Sequence, residues 1–233
     1  MKRLLHVLCI LALGLSVSAQ SYTPMSKQLK NIAIPDMKSV REAVNPVELT
    51  ANPYVRSGRV VVSESEIGGT YYDLQSNTSA PANRFYCYPD GTMAAVWTRG
   101  MSTGGYADRG TGYNYFNGAD WGPKPTVRIE TQRTGWPTYA PQGTGELVIA
   151  HHNTAGLVVS RRDTRGSGPW SEYILAGPAG AVDISWPRMV SSGDDHLNIH
   201  MLSMTYVEYQ GLDLAMLYYR STDGGQTWDQ QHQ

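Results

Sequence analysis

The chain has 233 residues, 41% hydrophobic and 17% charged, with 24 glycines, 13 prolines and two cysteines, which excludes a coiled coil, a disordered chain and a small disulfide-stapled fold. Its 19 basic residues against 20 acidic ones leave no basic excess to neutralise phosphates, and this argues against a nucleic-acid partner. The 15 tyrosines and 6 tryptophans favour β-strands, because aromatic side chains suit a pleated, half-buried surface. We therefore expect an all-β protein.

The first 19 residues have the pattern of a secretory signal peptide. Lys2 and Arg3 precede an apolar stretch at 4–15, and small residues up to Ala19 mark a cleavage site. The apolar stretch is too short to span a bilayer, and the rest of the chain offers nothing of that length. We therefore expect a secreted or cell-surface protein that does not insert into the membrane.

Signal cleavage also decides the cysteine chemistry. Cys9 lies inside the signal peptide, so Cys87 is the one thiol expected in the mature chain and has no partner for an internal disulfide. A lone cysteine behaves as a small hydrophobic residue, and we expect Cys87 to be buried.

The remainder divides into a leader, 20–58, and a β domain, 59–233. Four prolines between residues 24 and 53 leave no room for a long element in the leader. After residue 58, short apolar or alternating runs are separated by turns rich in Gly, Asp and Asn, which is the pattern of strands and hairpins. The runs expected to be strands include 59–62, 93–97, 147–150 and 214–219.

The β domain contains a repeat of about fifty residues. Trp136-Pro137 and Trp186-Pro187 begin two similar units, and an earlier unit has the same order of features from Arg84 onward without the Trp-Pro pair. Each unit ends in a Gly-rich turn closed by a tryptophan: Trp121, Trp170 and Trp228. A period of this length predicts the four-stranded antiparallel blades of a β-propeller, of which about three to four are present.

The turn at 221–228 is the most specific motif in the chain. Its sequence, Ser-Thr-Asp-Gly-Gly-Gln-Thr-Trp, resembles the Asp-box of bacterial sialidases and related secreted propellers. The matching positions are Ser221, Asp223, Gly225, Thr227 and Trp228. In such a turn the aspartate accepts hydrogen bonds from nearby N–H and hydroxyl groups, glycine supplies a positive φ, and tryptophan anchors the turn between sheets. We expect a structural role for these residues.

Three further segments, 72–77, 108–114 and 133–137, resemble secreted Asp-box propellers of Bacteroidetes-type bacteria, which are commonly exported through a type IX system. The resemblance covers most of the chain after the leader and implies a sialidase-like propeller of six blades. Because about four blades would exhaust the mature chain, we expect an N-terminal fragment of such a propeller. Residues 229–233, after the last tryptophan, are too few and too polar for a closing strand.

The connections of an antiparallel meander alternate between its ends, so one end of the sheets carries the Asp-box turns and the other carries loops available for a site. All three units contribute charged or aromatic candidates to that second end: Arg84, Arg99, Asp108, Arg109, Trp136, His151, His152, Trp186, Arg188, Tyr206 and Glu208. Loops on a rigid scaffold often carry function, and we expect the site there.

The sialidase resemblance implies catalytic roles for two of these candidates. Arg84 would belong to an arginine triad that clamps the substrate carboxylate with two parallel donors, and Asp108 would act as acid and base. However, the Arg-Ile-Pro context of the family is replaced by Arg-Phe-Tyr at 84–86, and the nucleophilic tyrosine with its carboxylate partner would lie beyond Gln233. The alternative, which we favour, is that Arg84 and Arg109 pair locally with acidic loop residues.

A binding function needs fewer residues than catalysis does. Trp136 and Trp186 can stack on sugar rings, although tryptophans at equivalent repeat positions also suit core packing. The other binding candidates are Arg99, Arg109, His151 and Glu208. The favoured function is an exported scaffold that binds a glycan or another cell-surface ligand. The alternative is an exo-sialidase or related glycoside hydrolase, and the oligomeric state stays open.

The sequence predicts neither a metal nor a cofactor. His196 and His200 have a metal-like spacing only on a helix, and on a strand they would lie about 13 Å apart on one face. The Gly-rich loop at 108–112 is not followed by the start of a helix, so it lacks the amide array that binds phosphate.

Overall fold

Ten β-strands form the regular structure of residues 64–75 and 82–233, the parts of the chain that the computed structural model describes. In chain order they are β1 Phe85–Cys87, β2 Met93–Arg99, β3 Gly110–Phe116, β4 Gly135–Gln142, β5 Gly145–Asn153, β6 Gly156–Arg162, β7 Ser171–Leu175, β8 Ile184–Ser192, β9 Asn198–Thr205 and β10 Met216–Ser221. The described ranges contain no helix, and therefore none long and apolar enough to cross a bilayer. The prediction of an all-β protein is confirmed for them.

The strands form three antiparallel sheets, each a meander in chain order. Sheet 1 is β1-β2-β3, sheet 2 is β4-β5-β6-β7, and sheet 3 is β8-β9-β10. Two predicted strands lie within β2 and β5, and a third overlaps β10, which begins at Met216, two residues later than expected. The predicted signal peptide, the leader and the strand at 59–62 lie outside the described residues.

Sheets 1 and 3 each carry part of a fourth strand at the position that β7 occupies in sheet 2. Trp121 bridges to Phe116 beside β3. In sheet 3, the N–H of Asp229 donates to the carbonyl of Arg220 at 3.0 Å, and residues 230 and 233 also pair with β10. Residues 229–233 form no strand, as expected, but their main-chain groups still pair with β10, because such bonds do not require apolar side chains.

Sheet 2 lies between the other two sheets and is buried on both faces. Leu147 and Ile149 of β5 join the cluster shared with sheet 3, whereas Val148 joins the cluster shared with sheet 1. All three are 0% exposed, as expected when consecutive apolar residues of one strand alternate between two covered faces. Full burial of such a side chain contributes roughly 1.5–3 kcal/mol.

The sheets approach each other along their first strands. The N–H of Tyr139 in β4 donates to the carbonyl of Asn83 at 2.7 Å, and the Asn83 amide donates back to the carbonyl of Tyr139 at 2.8 Å. On the opposite side of β4, the Met189 N–H donates to Thr138 Oγ1 at 3.4 Å. The described residues therefore form a stack of three sheets that are linked along their first strands.

The two Trp-Pro pairs have the same backbone conformation. Trp136 and Trp186 each have φ of 49°, and the pairing register shifts at both places, between Gly135 and Thr138 and between Ser185 and Arg188. The left-handed region is rare for a residue with a side chain, and a bulge in the first strand accommodates it. The repeat found in the sequence is thus a repeat of structure for sheets 2 and 3.

Cys87 is exposed, so the prediction that it is buried was wrong. It lies in β1, where Tyr86 packs against the cluster between sheets 1 and 2. Side chains alternate across a strand, so Cys87 and Phe85 point away from that cluster.

The turn at 221–228 follows β10 and is built around the Asp223 carboxylate. One carboxylate oxygen accepts hydrogen bonds from the N–H groups of Gln226 and Thr227, and the other accepts one from Thr227 Oγ1 at 2.6 Å. Gly224 and Gly225 have φ of 71° and 78°, which only glycine adopts at little cost. Trp228 is 8% exposed, and its Nε1 donates to Tyr173 of sheet 2 at 2.8 Å, so the turn also contacts the neighbouring sheet.

Candidate functional site

A row of six aromatic rings crosses the ends of the three sheets, at the end opposite the tryptophan-closed turns. In order, the row contains Tyr106, Tyr72, Trp136, His151, Trp186 and Tyr206. Successive ring centroids are 5.0, 5.7, 4.8, 5.9 and 5.7 Å apart, within the range of favourable aromatic contacts. The row joins four of the residues predicted from sequence: Trp136, His151, Trp186 and Tyr206.

The middle of this aromatic row is buried, and its sheet 3 end is open. Trp136 is 5% exposed and His151 is 0% exposed, so both pack as core residues and neither offers a ring face to a ligand. Trp186 is half-buried, and Tyr206 is 37% exposed. Of the two tryptophans predicted to contact a ligand, Trp186 is the accessible one.

Arg109 fixes the sheet 1 end of the row. It is 4% exposed, and its guanidinium carbon lies 4.7 Å from the Trp136 ring centroid and 5.2 Å from that of Tyr72. Its Nε donates to the carbonyl of Thr134 at 2.8 Å. Burial lowers the pKa of Arg109, and the nearby charge of Arg133 lowers it further. The Arg109 guanidinium thus contacts the rings of Tyr72 and Trp136 and is shielded from solvent.

The open end is a small corner formed by Asp183, Trp186 and Tyr206, which we call the Trp186 corner. Ile184 pairs with Thr205, and the Tyr206 N–H donates to the carbonyl of Asp183 at 3.4 Å, so Asp183 and Tyr206 are cross-strand neighbours. Side chains at such positions lie about 5 Å apart at Cβ. The corner is therefore held by main-chain pairing at the ends of β8 and β9.

Two polar atoms of the Trp186 corner have no hydrogen-bond partner within the described part of the chain. They are Nε1 of Trp186 and Oδ1 of Asp183, both buried. Burial also raises the pKa of Asp183 above its ordinary value of 3.8. A buried polar atom without a partner costs free energy, and a ligand or water that reached this donor and this acceptor would recover that cost.

Asp108 stabilises its own loop. Its carboxylate accepts hydrogen bonds from the N–H groups of Met101 and Ser102, each at 2.9 Å, and from Ser102 Oγ at 2.5 Å. The hydrogen bond from the Ser102 side chain is the main reason that the pKa of Asp108 falls to about 2. Arg99 Nη1 lies 3.5 Å from this carboxylate. A carboxyl group with this pKa is ionised at neutral pH and has no proton to donate, which argues against a general acid.

Arg84 has different neighbours from Asp108. It donates to both the side chain and the carbonyl oxygen of Gln75, and Gln75 in turn bonds to the main chain of Thr98. Burial and the charge of nearby Arg188 lower the pKa of Arg84 to about 10. The two residues with predicted catalytic roles are thus held by separate sets of partners.

The predicted pairing of Arg84 and Arg109 with acidic residues was wrong. Among the described residues, neither forms an ion pair. Gln75 carries the acceptors for Arg84, and aromatic rings surround Arg109. Arg99, another of the predicted arginines, does pair with a carboxylate, that of Asp108. Arg99 and Asp108 both line one cavity of about 430 Å³.

The remaining candidates lie apart from the Trp186 corner or outside the description. Glu208 is exposed in the loop after β9, and the side chain of His152 is outside the described part of the chain. His200 lies on β9, but His196 lies in the preceding turn with φ of 55°, so the two form neither the helical pair nor the strand pair that the sequence analysis considered. This turn is stabilised by two hydrogen bonds: the His196 N–H donates to the carbonyl of Gly193, and the Leu197 N–H donates to the Asp195 carboxylate.

Sequence reasoning missed Asp183 and Tyr72. Asp183 comes immediately before β8, three residues ahead of the Trp186-Pro187 pair, but the equivalent residue of the other repeat is Arg133, so the repeat does not mark an aspartate there. Tyr72 lies in an irregular segment before β1, and no periodic pattern marks such a residue.

Comparisons with known proteins leave the function to be argued from the geometry of the site. No protein-family model matches the chain, and no curated protein matches it. Membership of the sialidase-like propellers therefore stays a prediction from the motif at 221–228.

Proposed function

We propose that the protein is an exported β-propeller scaffold that binds a glycan at the Trp186 corner. The observation that carries this proposal is the combination found there: an exposed tyrosine ring beside a tryptophan, 5.7 Å apart, with one leftover donor and one leftover acceptor. A sugar ring offers apolar C–H groups that stack on aromatic rings and hydroxyls that both donate and accept. These are the groups that the corner lacks.

Two features of the fold support the propeller part of the proposal. Three antiparallel meanders pack face to face, and sheets 2 and 3 share the same bulge at their Trp-Pro pairs. The turn at 221–228 also has the central carboxylate and the inserted tryptophan that its sequence predicts. A propeller repeats four-stranded antiparallel sheets around a central axis, and sheet 2 has that number of strands.

An exo-sialidase or related glycoside hydrolase is the second candidate, and one observation favours it. Arg188 lies close enough to Arg84 for its charge to lower the pKa of Arg84, and two guanidinium groups suit a substrate carboxylate. Against it stand the low pKa of Asp108 and the separate partners of Arg84 and Asp108. Glycan binding, unlike hydrolysis, does not require Asp108 to act as an acid.

The proposal is tested by measuring glycan binding to the chain on an array and then, for the best ligand, by titration calorimetry. Replacing Tyr206 with alanine removes the exposed ring face and should weaken binding about tenfold, which corresponds to about 1.4 kcal/mol. The matched control is Tyr71→Ala, because Tyr71 is 62% exposed and lies outside the aromatic row. Equal losses in both variants, or no glycan binding at all, would contradict the proposal.

Turnover separates the two candidates. If the chain releases sialic acid from a sialoside and Arg84→Ala abolishes the release, the hydrolase is the better account. If the chain binds glycans but releases no sialic acid, the binding scaffold is the better account.

A further inference from the structure

The Trp186 corner contains a carboxylate whose charge is not balanced locally. Oδ1 of Asp183 has no hydrogen-bond partner in the described ranges, and the residue is only partly buried. Burial raises its pKa, and no basic side chain of the described residues offsets that rise. The Asp183 carboxylate therefore adds an uncompensated negative charge to the corner.

The nearest charged groups of the site do not change this balance. Arg109 is within electrostatic range of Tyr206, but it is 4% exposed and enclosed by Tyr72 and Trp136. Arg188 is close to Arg84, and its Nη1 donates to the carbonyl of Pro187. Neither arginine offsets the rise in the pKa of Asp183.

From this arrangement we infer that the Trp186 corner selects neutral sugars and excludes acidic ones, an inference that rests on the proposed glycan binding. A hydroxyl of a neutral sugar can donate to the Asp183 carboxylate without adding charge beside it. The ring stacks on Tyr206. A terminal sialic or uronic acid would bring a second carboxylate beside Asp183, and like charges facing each other in a partly desolvated site repel strongly.

The test compares matched glycans on one array: each neutral glycan beside the same glycan capped with sialic acid and beside its uronic acid analogue. The chain should bind the neutral member of a pair at least tenfold more tightly. Asp183→Asn keeps the size of the side chain and removes its charge, so this variant should bind the acidic member almost as well as the neutral one. The control is Asp213→Asn, an exposed aspartate in the loop between β9 and β10, which should keep the discrimination of the wild type.

The possible outcomes separate this inference from the function on which it rests. Preferential binding of acidic glycans that is lost in Tyr206→Ala overturns the selectivity and leaves glycan binding in place. Discrimination that is unchanged in Asp183→Asn overturns the role of the carboxylate. If neither member of any pair binds, both the inference and the proposed function fail.

Discussion

Two turns close neighbouring sheets on a tryptophan, yet different residues hold them together. In the turn at 221–228, Asp223 accepts the hydrogen bonds of its own turn. In the turn at 163–170, Arg165 occupies the position of Asp223 and reaches out of the turn, where it lies 2.8 Å from Asp90 and 4.0 Å from the Tyr88 ring centroid. Gly166 and Gly224 still share a positive φ, 70° and 71°. The two turns therefore share a glycine with positive φ and are held by different contacts.

The central carboxylate missing from the turn at 163–170 is supplied by a strand. Glu146 of β5 is 0% exposed and accepts hydrogen bonds from Gly166 N–H at 3.0 Å, from Arg162 Nε at 2.6 Å, and from the hydroxyls of Tyr113 and Tyr139, each at 2.7 Å. The guanidinium of Arg162 lies between the rings of Tyr113 and Trp170. Because Tyr113 belongs to sheet 1, this carboxylate joins two sheets, whereas Asp223 organises one turn. Damage to the first should therefore be global, and damage to the second local.

Replacing Glu146 with alanine should have the largest effect. It removes four hydrogen bonds and leaves the buried Arg162 charge without its partner, which costs about 3–5 kcal/mol in the free energy of unfolding. Urea unfolding followed by tryptophan fluorescence measures this loss. Glu146→Gln keeps an acceptor for the hydroxyl groups and should lose less.

The control for Glu146 lies in the turn that it supports. The Asp163 side chain is 89% exposed and 3.5 Å from Arg161, so Asp163→Ala should change the free energy of unfolding by no more than about 0.5 kcal/mol. If Glu146→Ala costs no more than this control, Glu146 does not hold the two sheets together.

Replacing Asp223 with alanine should have an intermediate effect, about 1–2 kcal/mol, as for the loss of a side chain that caps main-chain N–H groups. The loss is smaller than at Glu146 because Gln226 and Thr227 are exposed and their N–H groups can bond to water instead. Hydrogen exchange should show faster exchange confined to these N–H groups. Faster exchange throughout sheet 2 would show that this turn, too, has a global role.

The pH dependence of stability gives a second measurement on Asp223. Burial alone would raise the pKa of Asp223, but hydrogen bonds from Thr227, Ser221 and Gln226 outweigh it and hold the pKa below 3.8. This contribution is fully present above the unfolded pKa near 3.8 and is lost as the pH falls through the lower, folded pKa. Unfolding midpoints of the wild type and Asp223→Ala should therefore converge in acid.

The same contrast explains what the sequence could predict. All hydrogen bonds of Asp223 lie within eight residues, so a short motif contains the whole arrangement, and the turn, its glycines and its tryptophan were predictable. The partners of Glu146 are 7 to 33 residues away, and nothing in a single sequence links Tyr113 to Glu146 before the sheets are stacked. Local patterns were visible, and contacts between sheets were not.

The Trp186 corner shows the same limit. Trp186 was predicted, because its Trp-Pro pair repeats at a fixed period. Asp183 became visible only when the pairing of β8 and β9 placed it opposite Tyr206. The errors at Cys87 and Arg109 have a related cause, since each depended on which side of a strand or loop faces a neighbouring sheet.

Replacing Arg165 with methionine should have the smallest effect of the three changes. Its ion pair with Asp90 is largely exposed to solvent, and methionine keeps an apolar chain over Tyr88, so the loss should stay below about 1 kcal/mol in the free energy of unfolding. Salt screens exposed charges, so the difference between wild type and variant should shrink further in 1 M salt. A loss that approaches that of Glu146→Ala and does not respond to salt would mean that Arg165, and not the buried carboxylate, holds the turn at 163–170 against sheet 1.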